Sequence, residues 1–408
     1  MKAKSQFLFL CAVAILLALP SCKKPAAVTP VTPFNCTTYS NITTNTTLPA
    51  GIDTVNCNIE VSNNATLTIS PGTTLIFSQG AMLTVDAGAS INATGQANSP
   101  IVFKGLDSTA GYWVGLNINS ISTANTFAYC TIRDGGMAQG NKFGANVSIM
   151  GGTASFTNCN ILNSIDAGFY VFGNDVNTAA SDDAAKFNTF QNNIVSNNGS
   201  YPIVTYAACA GTIGTGNTFT GNANNYIGIR REIGVTGHVT LSALSIPYEI
   251  LQLAGNDEGV AIAGILTIQP GVTIVMASAT SLYTTSAGTI VAVGNSVQPV
   301  TIKGLISNAG YWGTIAIQSN TANIFQHCNI SDGGGLSSFD INSNNKGLIG
   351  TYMYIPAARN LTVQLCTLAN SGSSGIYVSA DAPPVAPAYN SDIATSNTFV
   401  GCSPNVQM

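Results

Sequence analysis

Charged side chains are scarce in this 408-residue chain, because Asp, Glu, Lys and Arg together make up only 7% of it. Helices of soluble proteins expose charged residues of high helix propensity, so this scarcity excludes a mainly helical protein. The net charge is −4, and beyond Arg230-Arg231 there is no basic patch, which excludes a conventional nucleic-acid-binding protein. We expect that arginine pair to lie in a solvated turn.

Histidine and the common catalytic motifs are equally rare. The two histidines, His238 and His327, are isolated in the sequence, and we expect them at turns or on strand faces. The chain has no CxxC or HxxxH pair, no GxSxG elbow and no glycine-rich phosphate loop. The sequence therefore predicts no metal centre and no cofactor.

Short apolar pairs separated by turn formers are what the chain has in abundance. Both members of a pair lie two residues apart, and five pairs recur early: Leu67/Ile69, Leu75/Phe77, Leu83/Val85, Ile91/Ala93 and Ile101/Phe103. Strands this short suit a chain that winds helically, with three strands in a coil of about 24 residues and coils stacked at the ~4.8 Å strand spacing. The pattern predicts an all-β parallel solenoid.

The same pattern returns 199 residues later, at Leu266/Ile268, Ile274/Met276, Leu282/Thr284, Ile290/Ala292 and Val300/Ile302. Further motifs also occur twice: AGYW from Ala110 and Ala309, CTIRDGG and CNISDGG from Cys130 and Cys328, and GFYV and GIYV from Gly168 and Gly375. We therefore predict a tandem duplication, with a first block over 41–235 and a second block over 236–408 that continues it.

The N-terminus has the pattern of an export signal. Two lysines precede an apolar run from Phe7 to Leu19 that is too short for a comfortable transmembrane helix. Residues 19–22, Leu-Pro-Ser-Cys, resemble the bacterial lipobox, and this resemblance implies cleavage before Cys22 and lipidation of that cysteine. The alternative is a secretory peptide with an incidental cysteine. We predict a lipoprotein signal peptide over 1–22.

A tether and a membrane location follow from that signal. Residues 23–40 are rich in Pro and Thr and are predicted to hold the folded part away from the membrane. The membrane is then a partner through the lipid anchor, and the predicted location is the cell envelope at the outer membrane. Whether the protein faces the periplasm or the cell surface stays open.

The repeated motifs carry a family resemblance. LTISPGTTLIF, SPIVFKG, AGYW and CTIRDGG together resemble the right-handed parallel β-helix repeat proteins found as exported bacterial lipoproteins. The resemblance covers residues 60–402 and implies a right-handed parallel β-helix built from the duplication. It implies no particular activity. Polysaccharide-degrading β-helices cluster acids beside His and Arg-x-Lys, or bind Ca²⁺ beside a base, and this chain lacks those constellations.

The cysteines divide into two groups. Cys36 and Cys57 flank the first coils, and an exported chain could pair them. Cys130, Cys159, Cys328 and Cys366 each precede an apolar residue by two positions, which predicts buried thiols that face inward. One or more disulfides among them is the alternative.

Candidate ligand-binding residues are the duplicated aromatic pairs and the acids of two long loops. The aromatic pairs either stack on sugar rings or pack between coils, and the acids either hold Ca²⁺ through oxygen ligands or are merely solvated. The candidates are Tyr112, Trp113, Tyr311, Trp312, Asp175, Asp182, Asp183, Asp381 and Asp392. Two further motifs receive structural interpretations: the Asp-Gly-Gly units at Asp134 and Asp332 are expected to form turns, and the asparagines of the NTF units to form ladders.

Three functions fit these features. The first is a non-catalytic envelope lipoprotein whose rigid β-helix binds a glycan or another surface. The second is a polysaccharide lyase or hydrolase with an unrecognised acidic site. The third is a structural component of an envelope assembly.

Overall fold

The computed structural model describes residues 32–139, 144–173, 185–230, 232–252, 259–335, 346–352, 360–379 and 388–408. In these ranges the chain forms 41 short strands, β1 to β41 in chain order, and two helices, α1 (Cys36–Tyr39) and α2 (Ala207–Ala210). All ladders in the five sheets are parallel. The predicted all-β parallel β-helix is confirmed.

Three sheets wrap the first part of the solenoid. Sheet A stacks β1 (Thr32–Pro33), β4 (Ile52–Val55), β7 (Thr74–Phe77), β10 (Ile101–Gly105), β13 (Cys130–Arg133), β16 (Asn160–Leu162), β19 (Ile194–Ser196) and β21 (Thr218–Thr220). Sheet C stacks β3 (Thr46–Leu48), β6 (Thr66–Ile69), β9 (Ser90–Thr94), β12 (Thr126–Ala128), β15 (Thr153–Thr157) and β18 (Lys186–Gln191).

Sheet B runs through both blocks without a break. It stacks β2 (Asn41–Ile42), β5 (Ile59–Val61), β8 (Met82–Val85), β11 (Gly115–Ile118), β14 (Ala145–Met150), β17 (Ala167–Phe172), β20 (Ile203–Thr205), β22 (Ile227–Ile229), β25 (Tyr248–Ile250), β28 (Thr273–Met276), β31 (Val300–Gly304), β34 (Cys328–Ser331), β37 (Thr367–Ala369) and β40 (Thr398–Val400).

Two further sheets complete the later coils. Sheet D stacks β23 (Glu232–Val235), β26 (Gly259–Ile262), β29 (Ser281–Thr284), β32 (Ile315–Ile317), β35 (Gly347–Thr351), β38 (Ser374–Val378) and β41 (Val406–Gln407). Sheet E stacks β24 (His238–Leu241), β27 (Ile265–Ile268), β30 (Thr289–Val293), β33 (Ala322–Gln326), β36 (Asn360–Gln364) and β39 (Ala388–Tyr389).

The core is built by alternation along each strand. In β6, Leu67 and Ile69 are buried while the intervening Thr68 is partly exposed, and Leu67 stacks on Ile91 of the next coil. That stack spans 24 residues, the predicted coil length. Because successive side chains of a strand point to opposite faces, the apolar pairs of the sequence line the interior. One continuous apolar core results.

Strands of the second block lie on a different face of the coil from the first-block strands that carry the same motifs. Helix α2 packs against β18 of sheet C and β23 of sheet D, so it replaces one strand on that side of the coil. Each strand or helix that the chain passes counts as one step around the coil. Between β6 and β27, which carry the same motif, the chain makes 21 strand steps and one further step through α2, 22 in all. Seven coils of three steps use 21 of them, which leaves one. Strands of the second block therefore lie one third of a turn from their first-block counterparts.

The N-terminal end differs from the prediction. The tether was expected to reach residue 40, but Thr32–Pro33 already pairs with Asp53 and Thr54, and α1 follows it. Cys36 and Cys57, whose pairing the sequence left open, form a disulfide. The signal peptide and Cys22 lie outside the described residues. Within the described ranges, no helix is both long enough and apolar enough to cross a membrane.

Thiols and amides stack in the interior at one corner of each block, ahead of the sheet A strands in the first block and ahead of the sheet B strands in the second. Cys130, Cys159, Cys328 and Cys366 are buried and form no disulfide, which confirms the prediction of inward-facing thiols. Cys209 is also buried, and Cys402 is half-buried. The Asn193 side chain accepts from the Cys159 backbone N–H at 2.9 Å, and Asn217 accepts from the Asn193 backbone in the same way.

The predicted ladder of NTF asparagines is right for two of its three members. Asn217 takes part, and so does Asn397, which accepts from the Cys366 backbone N–H. Asn188 does not, because it lies on the exposed face of β18 and bonds the hydroxyl of Thr153. A shared tripeptide therefore does not fix the position within the coil.

Candidate functional site

The duplicated tryptophans are packing residues. Trp113 and Trp312 are 0% exposed, and each indole N–H donates to a backbone carbonyl at 2.7 Å, that of Arg133 or of Ser331. Trp113 also stacks on Phe77 with ring centroids 4.2 Å apart. Of the two alternatives for these indoles, the structure supports packing between coils, because neither indole has a face open to solvent. The neighbouring Tyr112 and Tyr311 are partly exposed.

The two aromatic pairs also lie at different corners of the coil. Trp113 lies between β10 and β11, where sheet A meets sheet B, and Trp312 lies between β31 and β32, where sheet B meets sheet D. The one-face rotation of the second block causes this difference. The duplicated aromatic residues therefore do not form one shared surface.

The Asp-Gly-Gly units are turns, as predicted. Asp134 and Asp332 are buried and have positive φ angles of 68° and 71°. The Asp134 carboxylate accepts from Asn163 Nδ2 at 2.7 Å and pairs with Arg133 Nε at 2.9 Å. Asp332 accepts equivalently from Asn370 at 2.7 Å. These carboxylates hold adjacent coils together.

The acidic-loop candidates give no ligand cluster. Asp175, Asp182, Asp183 and Asp381 lie outside the described residues. Asp392 is exposed and accepts from Asn390 Nδ2 at 2.7 Å, a hydrogen bond that lowers the pKa of its carboxyl. In the part of the chain that the structure describes, no three His, Cys, Asp or Glu side chains are placed to hold a metal ion.

The densest group of functional side chains lies on the outer face of sheet B, where the two blocks meet. Four neighbouring strands contribute outward-facing residues in register, because Tyr170 pairs with Val204, Val204 with Gly228, and Gly228 with Glu249. Their inward neighbours fill the core. We call this group the sheet-B strip: Tyr170, Phe172, Tyr201, Val204, Tyr206, Gly228, Arg230, Glu249 and Leu251. Its partly exposed members are Tyr170, Tyr201, Arg230 and Leu251, and the other five are buried.

A tyrosine and a buried glutamate form one end of the sheet-B strip. Tyr201 donates a hydrogen bond to the carboxyl of Glu249, which is 5% exposed. Burial raises the pKa of Glu249, and the bond from Tyr201 acts in the opposite direction. A Cβ atom at Gly228 would approach Leu251 Cδ1 to 3.0 Å and Tyr201 Cδ1 to 3.4 Å. Glycine thus leaves room for both side chains.

The other end repeats the combination of a tyrosine and an acid. The hydroxyl of Tyr170 donates to Asp166 Oδ2 at 3.1 Å, and burial followed by this carboxylate raises the pKa of Tyr170. Both Tyr170 and Tyr201 remain partly exposed. The strip therefore presents two tyrosine rings whose hydroxyls are oriented by carboxylates.

An arginine lies against the aromatic edge of the strip. The guanidinium carbon of Arg230 is 4.8 Å from the ring centroid of Phe172, and Phe172 packs on Tyr206 at 5.6 Å. Such a cation–π contact stabilises a partly desolvated arginine. The prediction that Arg230 belongs to a solvated turn is therefore wrong, while Arg231 lies outside the described residues.

Duplication could not have revealed this site. Tyr201, Arg230 and Glu249 lie in none of the motifs that occur twice in the sequence. The usable signal was composition, since the segment from Tyr201 to Glu249 brings four tyrosines, at 201, 206, 226 and 248, into less than fifty residues. The histidines match expectation: His238 lies on a strand face and bonds Thr267, and His327 lies at a turn.

Comparison with known proteins supports the fold. Residues 40–148 match the model of a pectate-lyase-like β-helix domain. No curated protein and no solved structure matches the chain. Together with the parallel sheets, the match supports a parallel β-helix repeat fold, and it fits a carbohydrate-related role in broad terms. The matched residues end before Tyr170, so the sheet-B strip lies beyond the matched region.

Proposed function

We propose that this protein is a non-catalytic glycan-binding β-helix of the cell envelope, and that the sheet-B strip is its binding site. The observation that carries the proposal is the placement of two partly exposed tyrosines, each bonded to a carboxylate, on one face of a rigid sheet.

The chemistry of the strip suits sugars. A pyranose ring has a flat face of C–H groups that packs on an aromatic ring, and its hydroxyls need fixed polar partners. Tyr170 and Tyr201 supply the rings, while Asp166 and Glu249 fix the positions of their hydroxyls. Because the strands hold these side chains in register, little order has to be gained on binding.

The spacing of the acids favours binding over hydrolysis. Asp166 immediately precedes β17, whereas Glu249 lies on β25, three ladder steps away in sheet B. Three steps amount to about 14 Å, whereas standard glycosidases hold their two carboxyl groups about 5 to 9.5 Å apart. Each carboxyl also bonds a tyrosine rather than the other acid. A lyase or hydrolase is the alternative that the assay below detects.

The envelope location is part of the proposal. The sequence supports it through the apolar run and the Leu-Pro-Ser-Cys motif that ends at Cys22. The disulfide between Cys36 and Cys57 also supports it, because such bonds persist in oxidising compartments. Lipid on Cys22 would anchor the solenoid and leave the strip free to bind. Radiolabelled palmitate incorporated into the wild type and lost in Cys22→Ser would test the anchor.

Binding is tested with immobilised polysaccharides. We expect Tyr170→Ala and Tyr201→Ala each to weaken retention of the protein at least about tenfold, the size of effect that loss of one good contact produces. Tyr389→Ala is the control, because Tyr389 is an exposed tyrosine that lies on sheet E, away from the strip. Equal retention of all four proteins would refute the site. Release of new reducing ends or unsaturated products would replace binding with catalysis.

A further inference from the structure

We infer that four stacked thiols of the core form two sites for monovalent copper, each between two cysteines on neighbouring coils. The pairs are Cys130 with Cys159 in the first block and Cys328 with Cys366 in the second. The inference concerns the interior of the solenoid and is independent of the proposed function. It differs from the expectation of no metal centre, which rested on ligands close together along the chain, whereas these pairs meet only across the strand ladders.

Ladder register places the two thiols of each pair one strand step apart. The residues that follow Cys130 and Cys159 pair with each other in β13 and β16. The residues that follow Cys328 and Cys366 do the same in β34 and β37. All four side chains are at most 2% exposed, and the two thiols of each pair hydrogen-bond to each other. The same arrangement therefore occurs once in each block.

The strand spacing suits an ion with two ligands in a line. Neighbouring strands of a ladder are about 4.8 Å apart, so side chains in register lie at about that separation. Two metal–thiolate bonds of about 2.3 Å, laid end to end, span about 4.6 Å. A disulfide would instead bring the two sulfurs to about 2 Å. A linearly coordinated ion can therefore join the thiols with the strands at their normal distance.

The neighbours of each pair limit the site to two ligands. The side chain before each pair in the ladder is aliphatic, Ile101 in the first block and Val300 in the second. Beyond each pair lies an amide, Asn193 or Asn397, whose oxygen accepts a backbone N–H from the adjacent cysteine. Among the described residues, no three His, Cys, Asp or Glu side chains are placed around one point. Zinc needs four ligands in structural sites, so a soft ion that accepts two thiolates is favoured.

The charge balance favours a monovalent ion. When Cu(I) displaces one thiol proton, one S–H bond breaks, two Cu–S bonds form and no electron is transferred. The net charge of the pair does not change, and no unpaired charge is buried. The hydrogen bond between the thiols raises the pKa of Cys328 and lowers the pKa of Cys366, so Cys366 loses its proton first. The Cys366 sulfur also accepts the Cys328 backbone N–H at 3.4 Å, which stabilises a thiolate there.

Burial determines when the ion can enter. All four thiols are closed to solvent in the folded protein, so copper has to bind while the coils form. Once enclosed, it should resist removal by a chelator. An ion that binds only the native state also stabilises that state.

The test measures chelator-resistant copper in the full chain. The protein is produced in bacteria grown with and without added copper, and is then washed with a Cu(I)-specific chelator in the absence of oxygen. We expect the wild type from copper-supplied cells to keep two copper ions per chain. Copper-free folded protein that is treated with Cu(I) and washed in the same way should keep none.

Paired variants show which thiols share an ion. Cys159→Ala and Cys366→Ala should each lose one copper ion, and the ion kept at the other site shows that the variant has folded. Adding Cys130→Ala to Cys159→Ala should remove no further copper, whereas adding Cys366→Ala should remove the second ion. Cys402→Ala is the control and should keep both ions, because that thiol is half-buried and lies outside both pairs.

The pattern of losses decides the outcome. Absence of chelator-resistant copper from the wild type would overturn the inference, and so would equal retention in the wild type and in the variant that combines Cys159→Ala with Cys366→Ala. Loss of a second ion when Cys130→Ala is added to Cys159→Ala would show that the thiols do not share one ion, which also overturns it. Copper should raise the melting temperature of the wild type and leave that of the Cys159→Ala, Cys366→Ala variant unchanged.

Discussion

The indole of Trp113 packs directly on Gly135, and Trp312 repeats this contact on Gly333. A Cβ atom at Gly135 would come within 3.2 Å of Trp113 Nε1, and one at Gly333 within 2.5 Å of Trp312 Cε2. The AGYW and Asp-Gly-Gly motifs, which are separate in the sequence, therefore form one packing unit in each block. The indole N–H completes it by donating to the strand that precedes the glycines.

This contact predicts that Gly333→Ala destabilises the fold. The added methyl would meet the rigid Trp312 ring, and overpacking of this kind costs about 1 to 3 kcal/mol. Urea unfolding followed by tryptophan fluorescence measures the loss. Gly51→Ala is the control, because a Cβ there meets nothing within 4 Å. Equal stability of the two variants would show that the indole can move aside.

The interior column of thiols and amides predicts an unequal effect of two substitutions at Asn193. This side chain accepts from Cys159 N and donates to the Phe156 carbonyl at 3.0 Å. Asn193→Ala leaves both buried groups unpaired, and each costs about 1 to 3 kcal/mol. Asn193→Cys should cost less, because Cys366 sulfur already accepts from the Cys328 backbone N–H in the second block.

The free energies of unfolding of Asn193→Ala and Asn193→Cys, each compared with that of the wild type, test this prediction. Asn188→Ala serves as the surface control and should change stability by less than about 0.5 kcal/mol, because its side chain is exposed. If Asn193→Ala were as mild as Asn188→Ala, the column would contribute nothing to the fold.

Thiol reactivity should follow burial. In a variant without residues 1–22, we expect an aromatic disulfide reagent at about pH 8 to react with Cys402 in the native protein. The five buried thiols should react only after unfolding in guanidinium, and burial also raises the pKa of the Cys130 thiol. Cys36 and Cys57 should stay unreactive in both states until a reductant is added. Fast native labelling of more than one thiol would contradict this packing.

The buried carboxyl of Glu249 predicts a specific pH dependence of stability. Burial raises its pKa above the ordinary value of 4.5, so the folded state keeps the proton to higher pH than the unfolded state. Well below that ordinary value both states are protonated and the group has no effect. As the pH rises, the unfolded state ionises first, and the folded state loses stability until the raised pKa has been passed.

Glu249→Gln should lack this loss. We expect the stability of the variant relative to the wild type to increase between about pH 4 and pH 8, measured by urea unfolding at each pH. Tyr201→Phe provides a second comparison: it removes the hydrogen bond that lowers the pKa of Glu249 and should steepen the decline. A difference between wild type and Glu249→Gln that does not vary with pH would mean that the carboxyl is well solvated.

The sequence by itself determined the coil. Alternation of apolar and polar residues is a local property, and a strand converts it directly into inward and outward faces, as at Leu67, Thr68 and Ile69. The coil length, the buried thiols, the terminal disulfide and the turns at Asp134 and Asp332 all followed from such local patterns.

Only the tertiary structure decided how the two blocks face each other and where the candidate site lies. Counterpart strands are 22 steps apart when the helix Ala207–Ala210 is counted as one step. Because 22 is not a multiple of three, the second block lies one face further round, and no local pattern announces this. Tyr170, Tyr201 and Glu249 are distant in sequence and belong to no shared motif. Tyr170 and Glu249 lie on one face because ladder register places one residue of each coil above the next, and register depends on how many steps separate them along the whole chain.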